Sequence, residues 1–268
     1  MKYMKLNIFL LFLLWASAFV ASAEPLALAR EAYERKNYID AYEQFLTLQE
    51  DTSGDACYYL GVMNHQGWGK VADLAAAARF YECAVSHQHL KAMHNLAGLY
   101  HRGSGVGQDL EEARSLYARS ANLGGAKSAH RLGLIYFQGD GVERDFDAAR
   151  NWWQQAFDGG EADAGYNLGI LYKRGMGVRK DGKKAITYWE LASQLGSPHA
   201  QNAYATALMN GDGVSANPIE AYAWFRAAAH AGISVAQVNS ELVWELLEPH
   251  AQERALEAAE RVQQSLRN

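Results

Sequence analysis

The chain has 268 residues, of which 49% are hydrophobic and 21% charged, so it can bury a large core and does not have the composition of a disordered or low-complexity protein. Its formal net charge of −5 argues against nucleic acid as a partner. We therefore expect a folded protein whose ligand belongs to another class.

The first predicted element is a cleaved signal peptide at residues 1–23. Lys2 and Lys5 precede the apolar run LNIFLLFLLWASAFV, and Ala21-Ser22-Ala23 supplies the small residues that a signal peptidase requires. A retained membrane anchor is the alternative, but this apolar run has only 15 residues whereas a bilayer span needs about 20. We expect cleavage after Ala23 and a periplasmic or secreted protein without a further membrane span. Loss of the two lysines leaves 23 basic against 30 acidic residues, a formal charge of −7.

Residues 24–54 predict a helical hairpin that caps the start of the fold. LALAREAYERK forms the first predicted helix, a break follows near Asn37, and YIDAYEQFLTLQE forms the second. An end cap is expected wherever a terminal unit has one face without a neighbour.

A Gly-x-Gly motif then recurs five times at a constant step of 36 residues. A fixed period indicates a repeat array, and stacked repeats offer a long surface rather than one enclosed catalytic pocket. The sequence therefore points to a protein that binds a partner. The motifs lie at Gly67/Gly69, Gly103/Gly105, Gly139/Gly141, Gly175/Gly177 and Gly211/Gly213.

Each repeat predicts a helix, a turn and a second helix. In the fourth copy, Ala164, Leu168-Gly169 and Tyr172 follow one another at spacings of three and four, which builds one helical face with small residues where helices approach closely. The glycines that follow allow positive φ angles and end this first helix. A phosphate-binding loop is the alternative, but no strand precedes the glycines.

The second helix of each repeat has its own start signal and core positions. A short acceptor side chain at a constant position predicts the N-cap, and an alanine and a pair of large, mostly aromatic residues follow it, which we interpret as core rather than as a cofactor site. The N-cap residues are Asp73, Asp109, Asp145, Asp181 and Asn217. These helices end at glycine in four copies and at Gln88 in the first.

These residues carry a family resemblance. The segment AGYNLGILYKRGMGV, which starts at Ala164, resembles the pattern of Sel1-like repeats, relatives of the tetratricopeptide solenoids, and five copies cover residues 55–233. The resemblance implies an all-α fold, an α/α superhelix of helix-turn-helix repeats, with residues 24–54 similar to a tetratricopeptide unit. Ala236 continues the alanine column into residues 234–268, where capping helices are expected.

The two cysteines leave two alternatives open. Cys57 begins the first helix of repeat one and Cys83 lies near the end of its second helix, at similar height in an antiparallel hairpin, and an exported protein meets oxidising conditions. A disulfide-rich branch of the family has a cysteine at the position of Cys57, but its partner falls at Val85. A bridge and two free, partly buried thiols are therefore both consistent with the sequence.

No catalytic or cofactor motif stands out. The sequence lacks a nucleophile motif, a His-x3-His spacing and a Cys-x2-Cys pair, so we expect a non-enzymatic protein without a cofactor. His87-Gln88-His89 comes nearest to a metal dyad, and we interpret it as two exposed loop histidines rather than as a metal site.

The family resemblance also implies where a partner binds. In tetratricopeptide-like solenoids the first helix of each repeat lines the concave groove, and an acidic protein with basic and aromatic groove residues would draw in an acidic partner. The bland alternative is that these are solvated helix positions. The residues placed in the groove are Tyr58, His94, His101, Arg102, His130, Phe137, Tyr166, Lys173 and Arg174.

Three functions are consistent with this interpretation. The leading one is an exported scaffold or adaptor that holds another protein or an extended peptide segment, without indication of its own oligomeric state. The second is an immunity protein that neutralises a toxic enzyme, such as a lipase, directed to the periplasm. The third is an enzyme similar to the β-lactam-hydrolysing branch, which is disfavoured because this chain departs from that branch's cysteine pattern.

Overall fold

The structure is a computed structural model that describes residues 25–50 and 53–267; the predicted signal peptide lies outside these residues. Every regular element in the described part of the chain is helical, and consecutive helices pack as antiparallel pairs, which confirms the predicted all-α solenoid fold. The chain forms two compact units that divide after Leu123.

The first unit contains three helical hairpins. Helices α3 and α4 form the first hairpin with a Gly-x-Gly turn, and α5 and α6 form the second. The helices are α1 (25–34), α2 (Tyr38–Leu46), α3 (Asp55–Gln66), α4 (Leu74–Ser86), α5 (Leu90–Arg102) and α6 (Leu110–Asn122).

The second unit contains the other three repeats and the C-terminal helices. Each repeat again contributes one odd-numbered and one even-numbered helix, and α9 also contacts α11. The helices are α7 (Ala126–Gln138), α8 (Phe146–Asp158), α9 (Ala162–Arg174), α10 (Gly182–Gln194), α11 (Pro198–Asn210), α12 (Pro218–His230), α13 (Ser234–Leu246) and α14 (Pro249–Ser265).

The predicted N-caps form in all five repeats. In each case a side-chain oxygen accepts a hydrogen bond from the backbone N–H three residues later, at 2.9 to 3.2 Å, which satisfies one of the free amides at the helix start. The caps are Asp73, Asp109, Asp145 and Asp181, with Asn217 in the fifth repeat. The start of every even-numbered repeat helix is thus fixed by one short polar side chain.

The Leu-Gly pairs provide space for an aromatic ring. A Cβ at Gly169 would lie 2.1 Å from the indole nitrogen of Trp189, and a Cβ at Gly133 would lie 2.3 Å from that of Trp153. Both indole N–H groups donate to a backbone carbonyl of the facing helix, at 3.1 and 3.2 Å respectively. The glycine therefore allows the ring to pack directly against the first helix of its repeat.

The two glycines of each turn have different tasks. The first caps the odd-numbered helix in the left-handed region, as Gly175 does at φ 72°. The second also has positive φ, and within each unit it abuts the second helix of the preceding hairpin near its start: a Cβ at Gly105 would lie 2.4 Å from Leu74, and one at Gly177 would lie 2.5 Å from Phe146. No side chain fits there, so glycine is required where one hairpin packs on the next within a unit.

Both ends of the array are covered by helices without the repeat pattern. At the start, Ala29 and Phe45 are buried with Leu60 of α3. At the end, α14 packs on α12 and buries Ala255 and Val262. Among the described residues, none of the helices combines the length and the apolar character that crossing a membrane requires.

Candidate partner-binding face

The predicted groove residues lie on the odd-numbered helices of the repeats, α3 and α5 in the first unit and α7 and α9 in the second. These helices and α11 carry side chains that recur at steps of 36 residues. We call the surface that these side chains form the odd-helix face, and we describe it separately in each unit. All of the predicted groove residues lie within helices whose ends are fixed by the glycine turns described above.

In the first unit, Tyr58 is held by a histidine. Its ring stacks on His89 with centroids 4.4 Å apart, and the His89 Nε2 lies 3.2 Å from an oxygen of Asp55. Burial lowers the pKa of His89 although Asp55 opposes the shift. The prediction that His89 is an exposed loop residue was therefore wrong, because its ring packs against α3 and its Nδ1 caps α5.

A polar cluster links α3 with α5 beside these residues. The Oη of Tyr81 accepts a hydrogen bond from Asn95 at 3.2 Å and lies 3.4 Å from Nδ1 of His65. Burial and then the positive charge of Arg102 lower the pKa of His65, so its imidazole favours the neutral form. Arg102 itself is exposed at the end of α5.

The remaining predicted residues of the first unit are half-buried rather than freely solvated. The ring of His94 meets the edge of Tyr117 at 5.3 Å, and the backbone carbonyl of His101 accepts a hydrogen bond from Gln108 at 3.0 Å. The alternative that these residues are only solvated helix positions does not describe Tyr58 or His94, because their rings pack against neighbouring side chains.

In the second unit, His130 joins two neighbouring repeats. Its Nε2 lies 2.9 Å from the amide nitrogen of Asn167, so the imidazole accepts from that amide when neutral. Burial lowers the pKa of His130, against the opposing effect of Glu161 and Asp163. The contact connects α7 with α9 through side chains that are both half-buried.

Phe137 packs within its own hairpin. Its ring lies 5.3 Å from Trp153 and 5.5 Å from Phe146, both on α8. The structure therefore separates Phe137 from the polar contacts that the other residues of this unit make.

A cleft between α9 and α11 brings together the last three predicted residues. Tyr166, Lys173 and Arg174 line it, and its volume is about 280 Å³. Lys173 forms an ion pair with Asp212 at 3.3 Å, and the ring of Tyr166 lies 5.4 Å from His199. The other lining residues, which sequence reasoning missed, are Ile170, Trp189, Ala203, Thr206, Ala207 and Asp212.

A sequence signal for part of this set exists. On α9 an interval of four residues separates Tyr166 from Ile170 and Ile170 from Arg174. The helix face that carries the two predicted residues therefore also carries Ile170. Nothing local marks Ala203 or Thr206, because small residues identify a cleft only after the neighbouring helix is in place.

Cys57 and Cys83 form a disulfide in the structure, with their Cα atoms 5.9 Å apart. The bond joins α3 to α4 within one hairpin, and Cys57 is buried.

Within the described residues, no group of three or more His, Cys, Asp or Glu side chains is arranged to hold a metal ion.

Comparisons with known proteins agree with this architecture. The model of the Sel1 repeat matches residues 54–89, 90–125, 126–161, 162–197 and 198–233. A comparison with curated proteins gave no match.

Solved structures with the same fold come from several bacteria. A Sel1 repeat protein from Oxalobacter formigenes is 24% identical, with a TM-score of 0.75 over 88% of this chain and 96% of its own. A protective antigen of uropathogenic Escherichia coli strains, described as having an SLR fold, is 26% identical with a TM-score of 0.81 over 91% of this chain, which spans 54% of that antigen. An immunity protein from Pseudomonas aeruginosa is 20% identical, with a TM-score of 0.50 over 80% of this chain and 83% of its own.

The five matched repeats are consecutive and extend from residue 54 to residue 233, which is more than half of the chain. They coincide with the helix-turn-helix units seen in the structure, and the same architecture recurs in the similar solved structures. This protein therefore belongs to the Sel1 repeat family.

Proposed function

We propose that this protein is a non-enzymatic scaffold that holds another protein, or an extended segment of one, on its odd-helix face. Sel1 repeat proteins in general mediate protein–protein interactions. The observation that carries the proposal for this chain is the cleft in which Tyr166, Lys173 and Arg174 meet an apolar wall of α11. Tyrosine and arginine are residues that tend to anchor interfaces.

Export is part of the same proposal. The predicted signal peptide would place the scaffold in the periplasm or outside the cell, where a disulfide between Cys57 and Cys83 would persist. An acidic chain with cations on its odd-helix face would also steer an acidic partner toward that face.

Charge reversal tests the proposal. The variant Arg102→Glu/Arg174→Glu changes one exposed cation on the odd-helix face of each unit, and we expect it to lose capture of the native partner from an envelope extract. The control is Arg119→Glu/Arg226→Glu, which makes the same change of charge at exposed positions on α6 and α12. Equal capture by both variants and the unmodified protein would rule out the odd-helix face as the binding site.

The immunity hypothesis is distinguished by what is captured. An immunity protein would retain a toxic enzyme and abolish its activity in a stoichiometric mixture, whereas an adaptor would retain a partner whose activity persists. The enzyme hypothesis is tested separately with a chromogenic β-lactam, where turnover above that of heat-inactivated protein would contradict the proposed non-enzymatic role.

A further inference from the structure

Helix α11 departs from the other odd-numbered helices of the second unit at three positions. At 36-residue steps, Ala203 stands where the other helices have Arg131, Asn167 and Asn239. Thr206 stands where they have Leu134, Ile170 and Leu242, and Ala207 where they have Ile135, Leu171 and Val243. The fifth repeat is thus smaller on the side that meets α9.

The cleft lies where these side chains are short. Ala203, Thr206 and Ala207 form one wall, Tyr166 and Ile170 of α9 form the other, and Trp189 contributes from α10. The indole of Trp189 is fixed by its hydrogen bond to the carbonyl of Tyr166, so this wall is held in place before anything binds. The volume of the cleft, about 280 Å³, exceeds that of a cavity of about 150 Å³ that holds benzene in a protein core.

The charges at the cleft favour an acidic neighbour. Lys173 is already paired with Asp212 across the cleft, which leaves Arg174 as the exposed cation beside the apolar walls. Within the described part of the chain, Arg174 forms no ion pair. Arg179 and Lys180 in the following turn, and Lys183 and Lys184 at the start of α10, add positive charge.

We propose that this cleft receives one large apolar side chain, of leucine or phenylalanine size, from an extended peptide segment in which an aspartate or glutamate next to that residue pairs with Arg174. The inference rests on the proposed scaffold function and names the chemistry of the segment that is held. The apolar residue is buried against Ile170 and Ala207, and the adjacent carboxylate forms a charge-assisted pair with the guanidinium.

A variant that fills the cleft tests the inference. Ala203→Asn/Thr206→Ile introduces the residues that the fourth repeat has at the same positions, so the helix tolerates them while the cleft loses its space. Arg174→Glu, at an exposed position, is the second variant and replaces the cation by an anion without filling the cleft. Thr187→Ile, exposed on α10 and not part of the cleft, adds a similar apolar surface as the control.

The probe is a random heptapeptide library displayed on phage and selected on the unmodified protein. We expect enriched peptides to share one large apolar residue next to an acidic one. Synthetic copies should bind at least tenfold more weakly to the filled variant, the order of effect expected from losing one buried apolar side chain. They should also bind more weakly to Arg174→Glu, whose carboxylate repels the acidic residue of the peptide, and equally well to the control. No enrichment, enrichment of another composition, or equal binding to the filled variant would each overturn the inference.

The two proposals fail in different ways. If the native partner is lost on charge reversal at Arg102 and Arg174 but the filled variant still captures it, the scaffold function stands and the cleft is not its anchor. If neither variant affects capture, the scaffold function on this face fails as well.

Discussion

Substitution of Gly169 by alanine tests the packing rule of the repeats most directly. The added Cβ would lie 2.1 Å from Nε1 and 2.4 Å from Cδ1 of Trp189, whereas carbon contacts need about 3.5 Å. The indole must therefore move by more than about 1 Å, out of a site in which it is 8% exposed and donates to Tyr166. Overpacking costs about 1–3 kcal/mol and the lost hydrogen bond about 1 kcal/mol, offset by about 1 kcal/mol from the better helix propensity of alanine.

The net loss of about 2 kcal/mol corresponds to a fall in Tm of about 4–8 °C for a protein of this size. Gly182→Ala is the matched control, because a Cβ there meets nothing within 4 Å and the position begins α10; its Tm should stay unchanged or rise. Thermal unfolding followed by circular dichroism measures both. A Gly169→Ala protein with the same Tm as the unmodified protein would refute the reasoning.

The sequence itself supplies the compensating change. Tryptophan faces glycine in the third and fourth repeats, whereas the repeats with Ala97 and Ala205 at this position have Tyr117 and Phe225 in place of the tryptophan. The double variant Gly169→Ala/Trp189→Phe should therefore lose less than the sum of the single losses, by about 1–2 kcal/mol. Additive losses would mean that the ring does not sense the Cβ.

Three further outcomes follow from the helix ends, the cysteines and the histidines. Gln88→Gly should raise the free energy of unfolding by up to about 1 kcal/mol, measured by urea titration, because Gln88 has φ 60° where the other repeats have glycine; an unchanged midpoint would contradict this. Reduction of the Cys57–Cys83 bond, at a sequence separation of 26, should cost about 3.5 kcal/mol, and two reactive thiols in denatured, unreduced protein would show that the bond is absent. Because burial lowers the pKa of His130, the folded state resists protonation and stability should fall as pH drops below about 6.5. His130→Gln should reduce the loss of Tm between pH 7 and pH 5, and an identical loss would assign the effect to other groups.

The helical pattern of the repeats could be predicted because its signals are local. Asp181 caps α10 and Gly175 ends α9 through contacts within a few residues, so residue type and spacing contain the information. The role of Gly177 could not be predicted in the same way. That this residue is a glycine indicates a positive φ, but its contact with Phe146 depends on how one hairpin packs on the next.

Part of the candidate site could be predicted for a similar reason. A separation of eight residues, two steps of four, places Tyr166 and Arg174 on one helix face, and the structure puts both in the cleft. The environment of His89 was missed because its partners, Asp55 and Tyr58, come from a helix more than 30 residues earlier in the chain. Ala203 was missed because it contributes to the cleft only by its small side chain, which leaves space beside α9.

In the second unit, the contact between the second glycine of a turn and the preceding hairpin makes the array divisible. Gly177 meets Phe146 at the start of α8, and Gly213 lies beside Gly182 and Ile186 of α10. Because these contacts recur at a step of 36 residues, excision or duplication of the segment between them leaves a matching pair at the new junction, whereas a cut of any other length does not. Under the proposed scaffold function, the odd-helix face changes its length in whole steps, and the size of the partner that it accommodates changes by the same steps.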